Sequence, residues 1–252
     1  MPTGQTRRAA LVTGASDGIG AAIAIALAKD GCDVVITDLL RGDLTATAAA
    51  IEAGGGRAVP LSLDIRDQAS VESGFARAVE AFGGVDVLVN NAGIPMTRPA
   101  VDITRTEWEA ALAVNLTGTF FMCQQMGRHL IGAGRPGAIV SLASTHGTVG
   151  FPNIIAYGVA KAGISHMTRI LAIEWAPHGI RVNAIAPGTT ETPSRAPMLA
   201  DPARRETMLK RIPLGRFGNA GEMAAAVRYL VSPEASYITG QILLLDGGLT
   251  AY

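Results

Sequence analysis

Short runs of β-branched and aliphatic residues recur along the chain, each followed by a longer stretch whose apolar positions return every three or four residues. "AALVTG" (Ala9–Gly14) reads as a strand, "IGAAIAIALAKDG" (Ile19–Gly31) as a helix closed by glycine, and "CDVVITD" (Cys32–Asp38) as the next strand. The alternation continues with a helix in "DLTATAAAIEAGG", a strand in "AVPLSLD", a helix in "QASVESGFARAVEAFGG" and a strand in "VDVLVNNAG". A helical span around Thr104–Ile131 follows, then the strand "GAIVSLAS", the helix "AYGVAKAGISHMTRILAIEWAPHG" and the strand "IRVNAIAPG". Two further helical stretches and the strand "QILLLDGG" complete the pattern. About seven strands, apolar on both faces and separated by helices, predict an α/β fold with a doubly wound, mostly parallel sheet covered on both sides. Such a sheet takes ligands at the carboxyl ends of its strands.

No Pro/Ser-rich linker or internal repeat divides the chain, so residues 1–252 are expected to form one domain. One segment departs from the alternation. Thr189–Phe217, "TTETPSRAPMLADPARRETMLKRIPLGRF", carries several prolines and five arginines and leaves the sheet on its substrate side. A solvated surface insertion and a mobile lid over a ligand both fit it.

Composition narrows the classes. A hydrophobic share of 48% and 30 glycines in 252 residues suit a compact chain with many tight turns and exclude a disordered one. Lys+Arg 21 against Asp+Glu 21 leaves no global field for nucleic acid or an anionic membrane, so a small-molecule ligand is the better expectation. The two cysteines, Cys32 and Cys123, stand far apart without CxxC or histidine partners. They argue against a disulfide framework or a metal site and suit reduced core positions in a cytoplasmic protein. The first apolar run stops at Val12, too short for a signal-peptide core, and no run approaches the roughly 20 apolar residues of a membrane helix.

Chemistry first appears at "TGASDGIG", where the first strand becomes a helix. Gly14, Gly18 and Gly20 let the backbone turn sharply and approach a pyrophosphate, which would rest on the helix N-terminus. The spacing differs from G-x-G-x-x-G, so the placement between strand and helix carries the reading. Asp38 ends the second strand near the offset at which an acid binds the ribose 2′-hydroxyl of NAD. Asp17 adds a second negative group, and a 2′-phosphate would be repelled by both; NAD is therefore expected over NADP, with Arg41 as the opposing signal.

"AYGVAKAG" places Tyr157 one helical turn before Lys161. Alone, the pair is an amphipathic side chain at a helix edge and a solvated lysine. Taken with "TGASDGIG", "LDIRD", "NNAG" (Asn90–Gly93), "VNLTG" around Asn115, "SLAS" ending at Ser144, "NAIAPG" and "YITGQILLLDGG", it resembles the short-chain dehydrogenase/reductase family in its short single-domain form. The similarity covers almost the whole chain, and it is the order of these segments that makes it specific. A Rossmann-like fold is implied.

The resemblance implies a catalytic set of Asn115, Ser144, Tyr157 and Lys161, with Ser144, not Ser141, at the family's distance of thirteen residues before the tyrosine. Ser141 and Ala143 depart from the Asn and adjacent serines many relatives have there. A tyrosine near pKa 10 is a poor base at neutral pH unless positive charge favours its phenolate, and Lys161 supplies such a charge from the same helix face. Tyr157 is then fit to exchange a proton with a substrate hydroxyl or carbonyl, and Ser144 to hydrogen-bond the same oxygen. By resemblance, Lys161 also bonds the nicotinamide ribose and Asn115 helps hold a water that relays the proton.

Further cofactor contacts carry over by position: Ser16 and Ile19 in the glycine turn, Asp64 and Ile65 by the adenine, Asn91, Ala92 and Gly93 by the ribose, and Pro187, Gly188, Thr190 and Thr192 by the carboxamide. "NNAG" has a competing structural role in stiffening the sheet. Substrate choice is expected in Ile94–Arg98, Thr145–Ala156 and the segment after Gly188, with Ser144, His146, Asn153 and Tyr157 as contacts. Polar groups there point to a small polyol, sugar or other hydroxylated secondary alcohol. The rivals are a 3-oxoacyl thioester reductase, a dinucleotide-binding regulator without turnover, and a sugar-nucleotide epimerase or dehydratase. A homo-oligomer, usually a tetramer, is implied, with helices near Asn115–Ile131 and Tyr157–Trp175 at one interface and the C-terminal strand at another.

Overall fold

The computed structural model describes residues 7–39 and 42–251. In chain order its strands are β1 (Ala9–Thr13), β2 (Asp33–Asp38), β3 (Ala58–Ser62), β4 (Val87–Asn90), β5 (Gly137–Leu142), β6 (Ile180–Pro187), β7 (Thr190–Glu191), β8 (Gly218–Asn219) and β9 (Ile242–Leu245). Seven of them make one sheet in the order β3-β2-β1-β4-β5-β6-β9, and β7 pairs with β8 beside it. Every neighbouring pair runs parallel. The winding reverses between β1 and β4, which opens a crevice at their carboxyl ends where a ligand can enter.

The helices are α1 (Gly18–Lys29), α2 (Thr45–Ala53), α3 (Gln68–Phe82), α4 (Arg105–Leu112), α5 (Thr119–Ala133), α6 (Ile155–Trp175), α7 (Ala196–Leu199), α8 (Pro202–Leu209) and α9 (Ala220–Val231). Strand alternation sorts the core into two layers. Ala10 and Val12 of β1 pack with Ile23 and Leu27 of α1, Ile51 of α2 and Val227 of α9. Leu11, between them, faces the other way, toward Phe75 of α3, Met122 of α5 and Leu171 of α6. The doubly wound sheet expected from the pattern is present. Pro60 sits inside β3 without penalty because β3 is an edge strand, whose outer N–H positions need no partner.

The helical span expected at Thr104–Ile131 is present, running unbroken from Arg105 to Ala133, but it is not α-helical throughout. α4 starts at a reciprocal cap between Thr104 and Glu107, then widens into a π-helical stretch over Ala113–Gly118 before α5 resumes. Cys32 and Cys123 are buried and unbridged, and burial pushes the Cys123 thiol up to about 12. Among the described residues no helix is long and apolar enough to cross a membrane. The segment after β6 is not structureless: it runs through β7, a 3₁₀ turn (Pro193–Arg195), α7 and α8, and returns to pair at β8. Leu199, Ile212 and Phe217 form a small apolar cluster of their own within it.

Candidate active site

The glycine turn is shaped for close approach. Gly14 and Gly18 have φ of 64° and 57°, a region that side chains rarely adopt. A Cβ at Gly14 would lie 2.8 Å from Ala92 Cα, and one at Gly20 would collide with the Gly14 carbonyl. Ile19 is half-buried against the α1/α9 layer, and Thr192 lies across the turn, 3.4 Å from where a Gly18 Cβ would sit. Asp17 starts α1 with an extended backbone and makes no side-chain capping bond, which leaves its carboxylate exposed at the helix end. At the end of the neighbouring β2, Asp38 Oδ2 accepts the Ser16 N–H at 3.2 Å and Oδ1 the Leu39 N–H at 2.8 Å, so the Asp38 carboxylate is aimed at the turn. A cradle free of Cβ atoms with a fixed carboxylate beside it fits a dinucleotide. Arg41 lies outside the described residues.

"NNAG" serves the sheet. Asn91 Nδ2 donates to the Thr13 and Gly14 carbonyls at 3.0 and 2.7 Å, and Thr13 Oγ1 accepts the N–H groups of Asn91 and Ala92, both at 3.1 Å. Asn90 Nδ2 donates to Ser141 Oγ at 3.2 Å, which shows what the serine at that departure from the family pattern does. Ala143 joins a buried apolar cluster with Ile164 and Ala184. Asp64 is held by Arg66, whose guanidinium keeps its carboxyl below the usual range, and Ile65 is buried against the π-helical stretch, its carbonyl 2.5 Å from where a Gly118 Cβ would be.

The structure brings the four residues of the expected catalytic set to the carboxyl ends of β4 and β5. Lys161 is 5% exposed; its Nζ donates to the Leu142 carbonyl at 2.6 Å and stands 5.7 Å from the centre of the Tyr157 ring. Burial pushes the ammonium down to about 8, still largely charged at neutral pH. Ser144 Oγ accepts the His146 N–H at 3.2 Å, so its own O–H is left to donate elsewhere. Asn115, in the π-helical stretch, is fully buried. Its Nδ2 donates to the Ile94 and Ala111 carbonyls, both at 3.0 Å, and its Oδ1 accepts Ile94 N–H at 3.1 Å. One acceptor of the amide is thus the chain after β4, at Ile94, and the other is the preceding turn of α4, at Ala111. A Cβ at Gly93 would lie 2.9 Å from Asn115 Oδ1, displacing that amide, and in ordinary contact, 3.6 Å, with Lys161 Nζ.

The His146 ring stands edge-on to Tyr157 at 6.3 Å between ring centres and also meets Phe151 at 5.3 Å. Burial, and then the nearby Arg195 and Arg211 guanidinium groups, hold the imidazole below its ordinary pKa. Asn153 has φ of 66° and its carbonyl accepts Arg98 N–H at 2.6 Å; asparagine tolerates this left-handed turn, which accounts for it structurally. Pro187 ends β6 and accepts Thr145 Oγ1 at 3.4 Å, Gly188 packs against Asp246, and Thr190 is buried with its hydroxyl on the Gly188 carbonyl. Phe151, Arg195 and Arg211 escape sequence reasoning here, because only the tertiary fold brings the segment after β7 over the loop after β5.

Residues 14–250 match a family model described as enoyl-(acyl carrier protein) reductase. A 3beta-hydroxysteroid dehydrogenase of Eggerthella lenta is 41% identical over 96% of this chain and 93% of its own length. A D-threitol dehydrogenase of Mycolicibacterium smegmatis is 40% identical over 96% and 93%. The crystal structure of a candidate 2-deoxy-D-gluconate 3-dehydrogenase of Agrobacterium tumefaciens, with bound NADP, superposes with a TM-score of 0.91 at 40% identity over 97% of each chain.

Proposed function

The chain belongs to the short-chain dehydrogenase/reductase family, and on that premise we propose that it oxidises a secondary alcohol of a small hydroxylated molecule, a polyol or sugar, with NAD preferred over NADP. The observation that carries this reading is the buried Lys161 ammonium set against the Tyr157 ring, with a free Ser144 O–H alongside. When bound, the dinucleotide supplies the hydride acceptor, or the donor in the reverse direction. Gly14 to Gly20 would hold its pyrophosphate, with Asp38 at the ribose, Asp64 and Ile65 on the adenine side, and Asn91 to Gly93 and Pro187 to Thr192 on the nicotinamide side. Tyr157 Oη takes the proton of the substrate hydroxyl, and the positive charge of Lys161 lowers the cost of the phenolate that receives it. Ser144 donates its O–H to the same oxygen and fixes the orientation of the carbon that reacts. Asn115 is a positioning residue: it ties the backbone at Ile94 to the helix, which keeps Gly93 close to Lys161 Nζ.

The NAD preference rests on Asp38 and Asp17, two carboxylates where a 2′-phosphate would have to sit. A panel of polyols, sugars, apolar ketones and 3-oxoacyl thioesters with both cofactors tests the reading. Polyol or sugar oxidation with kcat/KM for NAD at least about tenfold above NADP is expected. Turnover confined to apolar ketones or thioesters overturns the substrate class, and an NADP preference overturns the role given to Asp38.

We also propose that residues 1–252 act as one domain within a homotetramer. Ile173 on α6 is 77% exposed, and Leu243 and Leu244 on the edge strand β9 are partly open, as apolar surfaces awaiting a second copy are. Light scattering at roughly four chain masses is expected; a monomer at micromolar concentration contradicts it.

A further inference from the structure

We infer that the substrate carries an oxyanion, a carboxylate or a phosphate, and that Arg195 and Arg211 bind it. This inference rests on the secondary-alcohol reading of the same site. The five arginines between Thr189 and Phe217 do not share one fate. Arg205 pairs with Glu191 at 3.3 Å and Arg216 with Glu222 at 2.6 Å, and Lys210 between them pairs with Glu206 at 2.8 Å. Arg195, Arg204 and Arg211 have no carboxylate within salt-bridge distance among the described residues.

Of these three, Arg211 is tied to the site by ring stacking and Arg195 by its place in the turn after Thr192, whereas Arg204 lies on α8. The Arg211 guanidinium stacks 5.1 Å above the Phe151 ring, Phe151 stands 5.3 Å from His146, and His146 is edge-on to Tyr157. Arg195 closes the 3₁₀ turn that follows Thr192, the residue lying over the glycine turn, and its side chain is half-buried. Burial first, and then the charges of the two guanidinium groups, hold the His146 imidazole below its ordinary pKa. The imidazole therefore stays neutral and adds a hydrogen-bonding group without adding charge, and its Nδ1 is enclosed with no protein partner. Two cations without a salt-bridged carboxylate thus stand beside a polar ring with an open valence that is itself edge-on to Tyr157. A planar oxyanion satisfies guanidinium donors in pairs, which a neutral polyol does not. The substrate is accordingly a hydroxy acid or a phosphorylated alcohol, and Arg195 and Arg211 select it.

Three six-carbon probes separate the possibilities: D-gluconate, D-glucitol 6-phosphate and the neutral D-glucitol. 4-Hydroxycyclohexanecarboxylate and its primary amide form a second matched pair. Rates are measured with NAD and NADP on the parent, R195Q/R211Q, and R204Q, an exposed arginine of α8 that does not act on His146. Binding of each probe to the NADH-saturated protein is measured separately by calorimetry. At least one oxyanion probe is expected to exceed its neutral counterpart by roughly tenfold or more, with that ratio collapsing in R195Q/R211Q, persisting in R204Q, and falling with added salt. Which probe wins identifies carboxylate or phosphate as the anion. Equal preference for charged and neutral probes, or a preference that survives the double substitution, overturns the inference. If no probe is turned over by the parent, the broader alcohol panel decides the proposed function, and calorimetry separately decides the anion site. Tighter binding of the oxyanion probes, lost in R195Q/R211Q, sustains the site, and equal binding of charged and neutral probes ends it. Circular dichroism of the double variant shows whether a loss reflects misfolding, and the single variants R195K and R211K, which keep the charge, should retain part of the preference.

Discussion

Around the glycine turn, Thr13 and Asn91 exchange hydrogen bonds with one another's backbones, and Gly14 and Gly20 approach neighbours where no Cβ fits. Around His146, by contrast, a ring nitrogen has no partner, and two guanidinium groups act on it from a segment with its own small core. The first region is complete before any ligand arrives; its polar groups are spent on holding a shape. The second has a buried imidazole nitrogen without a protein partner and two guanidinium groups without carboxylates, which a ligand can engage. Preorganised geometry suits a cofactor that is the same at every turnover, and unmet polarity suits recognition of one particular alcohol.

The largest effect should come from breaking the completed side. Gly20→Val drives a branched side chain into the Gly14 carbonyl and the Asn91 amide, both backed by rigid strand ends. A stability loss of about 2 kcal/mol or more and at least a hundredfold weaker NADH binding, on the order expected of overpacking at a fixed backbone, should appear in thermal melts and fluorescence titration. Normal binding by this variant would dissolve the contrast between the two regions.

A smaller effect probes the boundary between them, at Lys161. Burial lowers its pKa from 10.5 to about 8 in the folded protein, so between these values the unfolded chain holds a proton that the native state has released. Stability gained from deprotonation therefore rises with pH through this window; the burial penalty is fully present below about pH 8 and gone above the unfolded value. Lys161→Met has no such group. The stability of the parent relative to this variant should climb between about pH 7.5 and about pH 10, by at most about 3 kcal/mol. A flat difference would mean that the ammonium is not desolvated as described.

How much could be read from the sequence follows the same division. The glycine turn is legible because a positive φ and a missing Cβ leave few residue types to choose from, whereas Tyr157, Lys161 and Ser144 are legible only through the family resemblance, since their spacing alone fits an ordinary helix edge. The alternation of Ala10, Leu11 and Val12 between two layers is, like the glycine turn, local. What is not legible depends on distant partners. Nothing in "AVNLTG" marks a π-helical stretch, which is stabilised by Asn115 reaching Ile94 across the crevice. "PSRAPML" does not disclose that Arg195 is left unpaired while Arg205 finds Glu191, since both arginines sit in similar polar surroundings along the chain. Asn153 illustrates a third case: a polar residue in a substrate loop whose backbone conformation gives a sufficient reason for it.

The central claim is that Tyr157, supported by Lys161, carries the proton of a secondary alcohol. Its most direct test is the rate of NADH formation by Tyr157→Phe, on the best alcohol found for the parent, alongside NADH binding to the same variant. A fall in kcat of at least about a hundredfold with cofactor binding retained is predicted. Turnover within about tenfold of the parent would contradict the assignment, because a phenyl ring has no proton to exchange.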